Sequence, residues 1–594
     1  MLRKLPIGIQ NFEKLIRENF IYVDKTDYIY NLIQQKTPIF LSRPRRFGKS
    51  LLTSTMAAYW EGKKELFTGL KIAKLMGRDE HTRQSANTEQ SKLIKHHKKE
   101  ECGEQIRQND STWTPHPVFY FDFDGGIYSG NITGLNSRLS EHLSLWETEY
   151  SINRIDDTKN TIKRANSGNS SRSRQEELDE ALNELGIRFR NLMREAHNQT
   201  GQRVVILVDE YDKPLLEVIE QPELERYNKN LFKGFFSSLK AADEDIEFVF
   251  ITGVTKFEKV SIFSDLNQLE DISQDEDYAG ICGITEQEID EYFTGEIQHM
   301  AEKHNISKND VRKRLKATYD GYRFSSYIDV KVYNPYSLLT SFKKRQFEHY
   351  WFSTATPTFL VNKMVKRAFD ARKLMDKTLY ADGQRISDYR ADTPDLIPLL
   401  YQAGYLTITD YDGKRKRYTL GFPNEEVKYG MLNSLLPAYA PKTLIDTGID
   451  VFSLDEALER GEMERIKNIF TGLFAIIPYP SVKNMKDEEA VCDLHDPFEN
   501  YFQSVIVITL TLLGQLVSCE QHTATGRIDC VVKTEKFIYV FEFKRDGNVE
   551  DALKQIEERG YALPFLADHE RKLYKIGVVF DSKKRTLKDW KVAE

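Results

Sequence analysis

Along residues 1–285 the chain switches repeatedly between a helical spacing of apolar residues and short, continuous apolar runs. Asn11 to Phe20 and Lys25 to Gln34 carry apolar residues at helical spacing. Pro38-Ile39-Phe40-Leu41 is a short apolar run that predicts a buried strand, and Lys49 to Tyr59 reads as a helix directly after it. Val118-Phe119-Tyr120-Phe121-Asp122-Phe123 predicts a second strand, closed by Asp124-Gly125-Gly126. Then come a helix over Glu176 to Asn198, an apolar strand over Arg203 to Val208, a helix over Leu231 to Ala241 and a buried strand over Phe248 to Thr252. Strands alternating with helices in this way imply an α/β region with a largely parallel sheet covered on both faces.

Beyond residue 285 the pattern changes. Residues 286–450 hold several helical stretches and one hairpin signal: Tyr405-Leu406-Thr407-Ile408, a turn over Asp410 to Lys414, then Arg417-Tyr418-Thr419-Leu420. Helices followed by a hairpin describe a helical, winged-helix-like region. Residues 451–594 return to a mixed pattern, with strands expected at 527–533, 537–544 and 574–580. Two polar stretches interrupt the first region. Residues 76–115, with His96-His97-Lys98-Lys99, read as a solvated insertion rather than a metal site. Residues 155–175, rich in Gly, Ser and Arg, read as a flexible loop in preference to a nucleic-acid-binding arm. Three regions result: 1–285, 286–450 and 451–594.

Composition narrows the class. The 594 residues are 40% hydrophobic and 29% charged, which excludes a disordered chain, a collagen and a disulfide-stapled miniprotein. The longest mainly apolar run, Val505 to Leu513, is far short of the roughly 20 residues that span a bilayer, so no membrane role is expected. The N-terminus shows no apolar secretory core. Five cysteines (Cys102, Cys282, Cys492, Cys519, Cys530) form no CxxC pair, the usage of a reducing, cytoplasmic protein. A net charge of −7 gives no general attraction to nucleic acid, so any such contact needs a local basic surface.

The first chemical candidate is Arg43-Pro44-Arg45-Arg46-Phe47-Gly48-Lys49-Ser50, placed between a strand and a helix as a phosphate-binding loop requires. Backbone N–H groups of the loop and of Leu51 at the helix N-terminus would cradle phosphate. Lys49 would reach the terminal phosphates, Ser50 would hold Mg²⁺, and Arg45 and Arg46 would add charge. Arg43 stands where the general pattern has its first glycine, and a basic turn capping a helix is the plainer reading. The run Val204 to Val208 followed by Asp209-Glu210 adds a second part: Asp209 to hold Mg²⁺, Glu210 to activate the attacking water. Buried strands rarely end in two carboxylates, because an unpaired buried charge is costly. Thr252, ending the next strand, is placed to sense the γ-phosphate.

The second candidate lies near the C-terminus. In Val540-Phe541-Glu542-Phe543-Lys544, alternation puts Glu542 and Lys544 on one face. A tight turn between Glu535 and Lys536 would set Asp529 of Gly526-Arg527-Ile528-Asp529 opposite Glu542. Two carboxylates and a lysine suit metal-dependent phosphodiester hydrolysis: Asp529 and Glu542 to hold Mg²⁺ or Mn²⁺, Lys544 to orient the nucleophile or offset charge. Glu499, at the start of a helix expected over Phe498 to Leu513, would add a third carboxylate. Gln555 and Tyr561 would orient the site or DNA. Arg527, Lys533, Lys536 and Arg545 are candidates for a basic groove beside it. An amphipathic hairpin with an ordinary surface Glu–Lys pair is the alternative, since D-x12-E-x-K alone is a weak pattern.

Together these residues resemble the AAA-ATPase-like proteins fused to a C-terminal PD-(D/E)XK nuclease-superfamily domain. The matching segments are Tyr22-Val23-Asp24-Lys25-Thr26, Ser42 to Ser50, Val208-Asp209-Glu210-Tyr211-Asp212-Lys213-Pro214 and Thr252-Gly253-Val254-Thr255-Lys256-Phe257. Tyr319-Asp320-Gly321-Tyr322-Arg323-Phe324, Tyr333-Asn334-Pro335, Gly526 to Asp529 and Glu542-Phe543-Lys544 complete the set. The glycine-less loop looks like the family's own form; the two polar insertions depart from it. The resemblance implies a P-loop ATPase core, a helical or winged-helix-like middle and a restriction-endonuclease-like end. It implies ATP and Mg²⁺ as ligands, DNA ahead of RNA as partner, and assembly into homo-oligomers as AAA-like proteins often do. The expected function is an ATP-regulated, Mg²⁺-dependent DNA nuclease. The alternative is an ATP-dependent switch or scaffold whose C-terminal domain binds a partner or DNA without cutting.

Overall fold

A computed structural model describes residues 3–35, 37–77, 113–130, 132–152, 174–257, 269–351, 358–366, 369, 371–374, 379–387, 395–439, 451–476, 508, 516–522, 526–581 and 586–593. The chain divides into two compact units. One comprises Met1–Phe347, Gly383–Thr393 and Ile397–Gly404; the other comprises Glu348–Asp382, Pro394–Leu396 and Tyr405–Glu594.

The first unit is organised by a parallel sheet. β1 (Ile39–Ser42) runs into α1 (Lys49–Trp60). β2 (Val118–Asp122) precedes α2 (Gly134–Glu149) and α3 (Arg174–Thr200). β3 (Val204–Asp209) precedes α4 (Pro222–Ala241), and β4 (Ile246–Gly253) leads to the short β5 (Glu270–Asp271). The order is β2-β3-β4-β1-β5 and every pairing is parallel. β1 and β3 are buried along their whole length, which is why they read as unbroken apolar runs. β2, at the edge, alternates half-buried with buried positions. Its Phe121 ring lies 5.2 Å from Phe189 of α3 and 5.6 Å from Phe235 of α4, so both helices pack on one aromatic cluster. α4 begins well before the expected Leu231, at Pro222, whose fixed φ suits a first helical turn.

β4 lies between β1 and β3, and this order positions the chemistry. Leu41 pairs with Thr252, Ser42 with Gly253, and Val208 with Ile251. The loop after β1, Thr252 and Asp209 therefore line up along one end of the sheet. Downstream, helices Glu286–Tyr292, Thr294–His304, Lys308–Tyr319 and Pro335–Lys344 surround a small sheet of Ile284–Thr285, Lys331–Tyr333 and Tyr322–Arg323. Some of these helices begin at side-chain caps. Thr285 and Glu288 form a reciprocal cap, and Asn334 caps the helix that Pro335 begins.

In the second unit, strands Thr407–Asp412 and Arg417–Gly421 form the expected hairpin, joined by Tyr380–Asp382 as a third strand. A bulge between Ile408 and Asp410 carries the first strand to Asp412, so the turn falls after the expected Asp410. The C-terminal sheet comprises β6 (Leu516–His522), β7 (Arg527–Lys533), β8 (Phe537–Arg545), β9 (Lys572–Asp581) and β10 (Thr586–Ala593), in that order. β8 and β9 are parallel, which a crossover by α5 (Val549–Glu558) allows; the other pairs are antiparallel. β10 was not expected from the sequence: it is a polar edge strand on which Trp590 is the buried residue. The polar stretches 76–115 and 155–175 and the segment Phe498–Leu513 lie almost entirely outside the described residues. Among the described residues no helix is long and apolar enough to cross a membrane.

Candidate functional site

The N-terminal site is built on the loop after β1. Arg43 N–H donates to Gly253 O at 3.1 Å, so sheet pairing continues one residue past the strand. Pro44 restricts Arg43 to extended conformations. The left-handed steps come later, at Arg46 (φ 68°) and Gly48 (φ 94°). A left-handed residue turns neighbouring N–H groups to one side, and Gly48 is itself the N-cap of α1, so loop and helix N-terminus adjoin. A Cβ on Gly48 would meet no atom within 4 Å, but its left-handed φ favours glycine.

Arg43 is turned to the protein interior. Its buried guanidinium donates from Nη1 to Ser42 O and Ser273 O, both at 2.8 Å, and from Nη2 to Tyr278 O at 3.0 Å. It also lies over the Phe324 ring at 4.1 Å. Phe47 is buried too, edge-on to Tyr322 at 4.7 Å and to Phe324 at 5.6 Å, and its carbonyl accepts from Gly283 N–H at 3.2 Å. Arg45 and Arg46 are exposed, and Arg46 lies over the Tyr336 ring at 5.0 Å. Leu51 is half-buried in the first turn of α1, where its carbonyl accepts from Thr55.

Lys49, Glu210, Asp209 and Ser50 converge below the loop. Lys49 Nζ is buried, 3.3 Å from Pro44 O and 3.4 Å from Glu210 Oε1. Asp209 Oδ1 accepts from Glu210 N–H at 3.1 Å, and Glu210 takes a left-handed φ of 54°. Burial, with Glu210 adding to it, pushes the Asp209 carboxyl up to about 7; hydrogen bonding from Ser50 and the Lys49 charge oppose that rise. Thr252 is fully buried, and its Oγ1 has no hydrogen-bond partner among the described residues. A buried hydroxyl left open, a buried lysine, two exposed arginines and the Ser50–Asp209 oxygen pair fit a triphosphate with a hard divalent cation.

Two neighbours escaped the sequence reading. Tyr120 of β2 hydrogen-bonds towards Asp209, and burial, with that carboxylate adding to it, holds the phenol well above its ordinary range. Asp212 is fully buried and accepts from Val254 N–H at 3.1 Å, Thr255 N–H at 2.7 Å and Thr255 Oγ1 at 2.6 Å. Asp212 thus ties the segment after β3 to the segment after β4. Its sequence signal was a third acid in a run that closes a buried strand.

The C-terminal set is more local. β7 and β8 pair from Lys533↔Ile538 to Cys530↔Phe541, and one further step sets Asp529 opposite Glu542. Asp529 Oδ2 accepts from Phe543 N–H at 2.9 Å. Lys544 Nζ donates to Glu542 Oε1 at 2.9 Å and to Gln555 Oε1 of α5 at 2.6 Å. Gln555 Nε2 in turn donates to Tyr561 Oη at 3.4 Å. A Cβ on Gly526 would come 2.8 Å from that same Tyr561 oxygen, so the glycine leaves room for the tyrosine. Asp529, Glu542, Lys544 and Gln555 are therefore brought together, while Glu499 lies outside the described residues.

Of the four residues expected to form a basic groove, two lie away from the carboxylates. Lys533 and Lys536 stand at the turn end of the hairpin, with Lys533 about 13 Å along the strand from Asp529. Lys533 covers the Phe565 ring at 4.8 Å, and Arg545 lies 3.5 Å from Asp546. The Arg527 side chain is outside the described residues. Among the described residues no three His, Cys, Asp or Glu side chains gather as a metal site. The paired carboxylates of Asp529 and Glu542 still supply the hard oxygen donors that Mg²⁺ or Mn²⁺ takes.

Comparison with known proteins agrees with this division of chemistry. The AAA-ATPase-like family model, described as a predicted AAA-ATPase, matches residues 6–87 and 90–263. The model of a PD-(D/E)XK nuclease superfamily family matches residues 497–590. An uncharacterized protein in the vnfD 5′ region of Azotobacter chroococcum mcd 1 is 33% identical over 595 residues, covering 98% of each chain. No solved structure matches. The chain belongs to the AAA-ATPase-like proteins that carry a C-terminal PD-(D/E)XK nuclease-superfamily domain.

Proposed function

We propose that the chain binds and hydrolyses ATP with Mg²⁺ at its N-terminal site and cuts DNA at its C-terminal site, with nucleotide state regulating cleavage. The observation that carries the nuclease half is the Lys544 ammonium held between Glu542 and Gln555, with Asp529 across the hairpin. A surface built only to bind gains nothing from that clustering. Bound Mg²⁺ or Mn²⁺ would supply charge stabilisation and an activated water. Asp529 and Glu542 would hold it, Lys544 would offset charge on the scissile phosphate, and Gln555 would fix the lysine. At the other site Ser50 and Asp209 would hold the metal and Lys49 the terminal phosphates. Glu210, released from Lys49, would take a proton from the attacking water.

The test is cleavage of linear, circular and single-stranded DNA with Mg²⁺ or Mn²⁺, with and without ATP, comparing wild type with Asp529→Ala. An RNA substrate runs alongside. Cleavage that is lost in the variant and altered by ATP supports the coupled nuclease. ATP binding without cleavage under any condition makes the chain a nucleotide switch or scaffold instead.

A further inference from the structure

We infer that Arg43 is a positioning residue for the nucleotide: the loop takes its shape from this side chain, and restoring the pattern's glycine there weakens ATP binding. The inference rests on the nucleotide reading above and adds what holds the loop.

The first glycine of the general pattern permits a tight turn at that point. Here the turn has moved. Arg43 pairs with Gly253, Pro44 follows, and the left-handed residues are Arg46 and Gly48. Arg46 is not a glycine, and a left-handed non-glycine persists only where its surroundings over-determine the backbone. Those surroundings are anchored on both sides of Arg46. On one side, the Arg43 fork binds three carbonyls from two segments about 230 residues apart in sequence. On the other, Phe47 packs on Tyr322 and Phe324, and Phe324 also stacks under Arg43.

The segment Ser273–Gly283 completes the cradle. Ser42 N–H donates to Ser273 Oγ at 2.8 Å, and Gly283 N–H donates to Phe47 O at 3.2 Å. Arg43 joins the middle of this span through Tyr278 O. A glycine at 43 removes these bonds, leaves buried carbonyls short of donors and opens space under the loop. A lysine keeps the charge but not the planar fork, so it reaches fewer of the three carbonyls.

The experiment titrates ATP with Mg²⁺ into the full chain carrying Arg43→Gly, Arg43→Lys or Lys49→Ala, beside wild type. Thermal unfolding without ATP is followed in parallel. Arg43→Gly is expected to raise the ATP Kd at least about tenfold at a temperature where it is folded, and Arg43→Lys by several-fold. In turnover, KM for ATP rises while kcat at saturation changes little. ATP binding by folded Arg43→Gly as tight as wild type overturns the proposal, as does a lower melting temperature with unchanged Kd. If Arg43→Gly does not fold, Arg43→Lys and Phe324→Leu decide: binding by both within about twofold of wild type overturns it. A wild-type chain that does not bind ATP, or binds it equally well after Lys49→Ala, instead refutes the nucleotide reading itself.

Discussion

The proposed nucleotide site and the carboxylate–lysine site use the same ingredients, a lysine among carboxylates at strand ends, but they are assembled at different ranges. Lys49 is 2% exposed, and the loop it belongs to is held by Ser273, Tyr278, Gly283, Tyr322 and Phe324. Lys544 is 29% exposed, and among the described residues it bonds to Glu542 and Gln555, from one hairpin and the helix that follows. The first site depends on the folding of most of a domain. The second depends on a register and a single crossover. A substitution far from Lys49 in sequence can therefore disable the first site, whereas the described contacts of the second all fall within residues 526–561.

The sharpest way to break this contrast is to disable each site alone. Lys49→Ala removes a buried ammonium from the phosphate-binding loop, and ATP affinity is expected to fall at least about 100-fold with the fold intact. Metal-dependent cleavage without ATP should survive it. Asp529→Ala removes a carboxylate proposed to hold the metal, and cleavage is expected to fall to background while ATP turnover stays at the wild-type rate. Calorimetric ATP titration and a DNA-cleavage time course on both variants decide the matter. ATP turnover lost in Asp529→Ala would mean that the sites are not separable.

Lys544→Met is a smaller intervention. It keeps the length of the stem and removes the charge, so the metal site stays formed. Loss of one group that stabilises developing charge commonly costs about 10²–10³-fold in kcat. That loss should appear in kcat for DNA cleavage, with the metal concentration needed for half-activity little changed. A parallel rise in the metal requirement would show that Lys544 instead supports the carboxylates.

The same difference in range explains what was legible in the sequence. The carboxylate–lysine set followed from alternation and one midpoint, because only twelve residues of chain separate Asp529 from Glu542 and a hairpin folds them together. β1, β3 and β4 were legible because buried parallel strands are continuous apolar runs. Arg43 was legible only as a departure from a pattern, since its partners Ser273, Tyr278 and Phe324 lie more than 200 residues away. β5 is two residues long and carries acids, so no pattern announces it. Lys533 and Lys536 were grouped with the site by closeness in sequence, but an extended strand carries the chain away at about 3.3 Å per residue. β10 was missed because an edge strand is free to be polar.

Asp209 tests the buried character of the nucleotide site through pH. Its carboxyl is pushed up to about 7, while in the unfolded chain it returns to about 4. Between those values the folded state holds a proton that the unfolded state has lost, so stability falls as pH rises through this window. Above about 7 the full penalty is present, and below about 4 both states are protonated and the penalty vanishes. Asp209→Asn should therefore stabilise the ATP-free chain by about 1–3 kcal/mol at pH 8, with the gain shrinking towards zero near pH 4. Denaturant unfolding at several pH values measures it. A gain that grows on acidification would reverse the sign and refute burial as the dominant cause.

Gln555 offers the mildest test, at the site that is built locally. Its carbonyl accepts from Lys544 at 2.6 Å while its amide donates to Tyr561 at 3.4 Å, so it joins the lysine to the helix–strand connection. Gln555→Ala removes this acceptor while the Glu542 contact stays. The ammonium then spends more time away from the working position, and kcat should fall about tenfold, the scale of losing one outer partner of a metal-site residue. KM for DNA should hold, because the glutamine positions the lysine and not the substrate. Gln555→Glu keeps an acceptor for Lys544 and should recover part of the rate. It also adds a carboxylate beside Glu542, which strengthens the hold on the lysine and weakens what the lysine can give to the phosphate. Recovery should therefore be partial and should improve below the pH at which the new carboxylate protonates. Full activity in Gln555→Ala would mean that Lys544 keeps its working position without the glutamine, and the helix after the hairpin would then contribute nothing to the lysine.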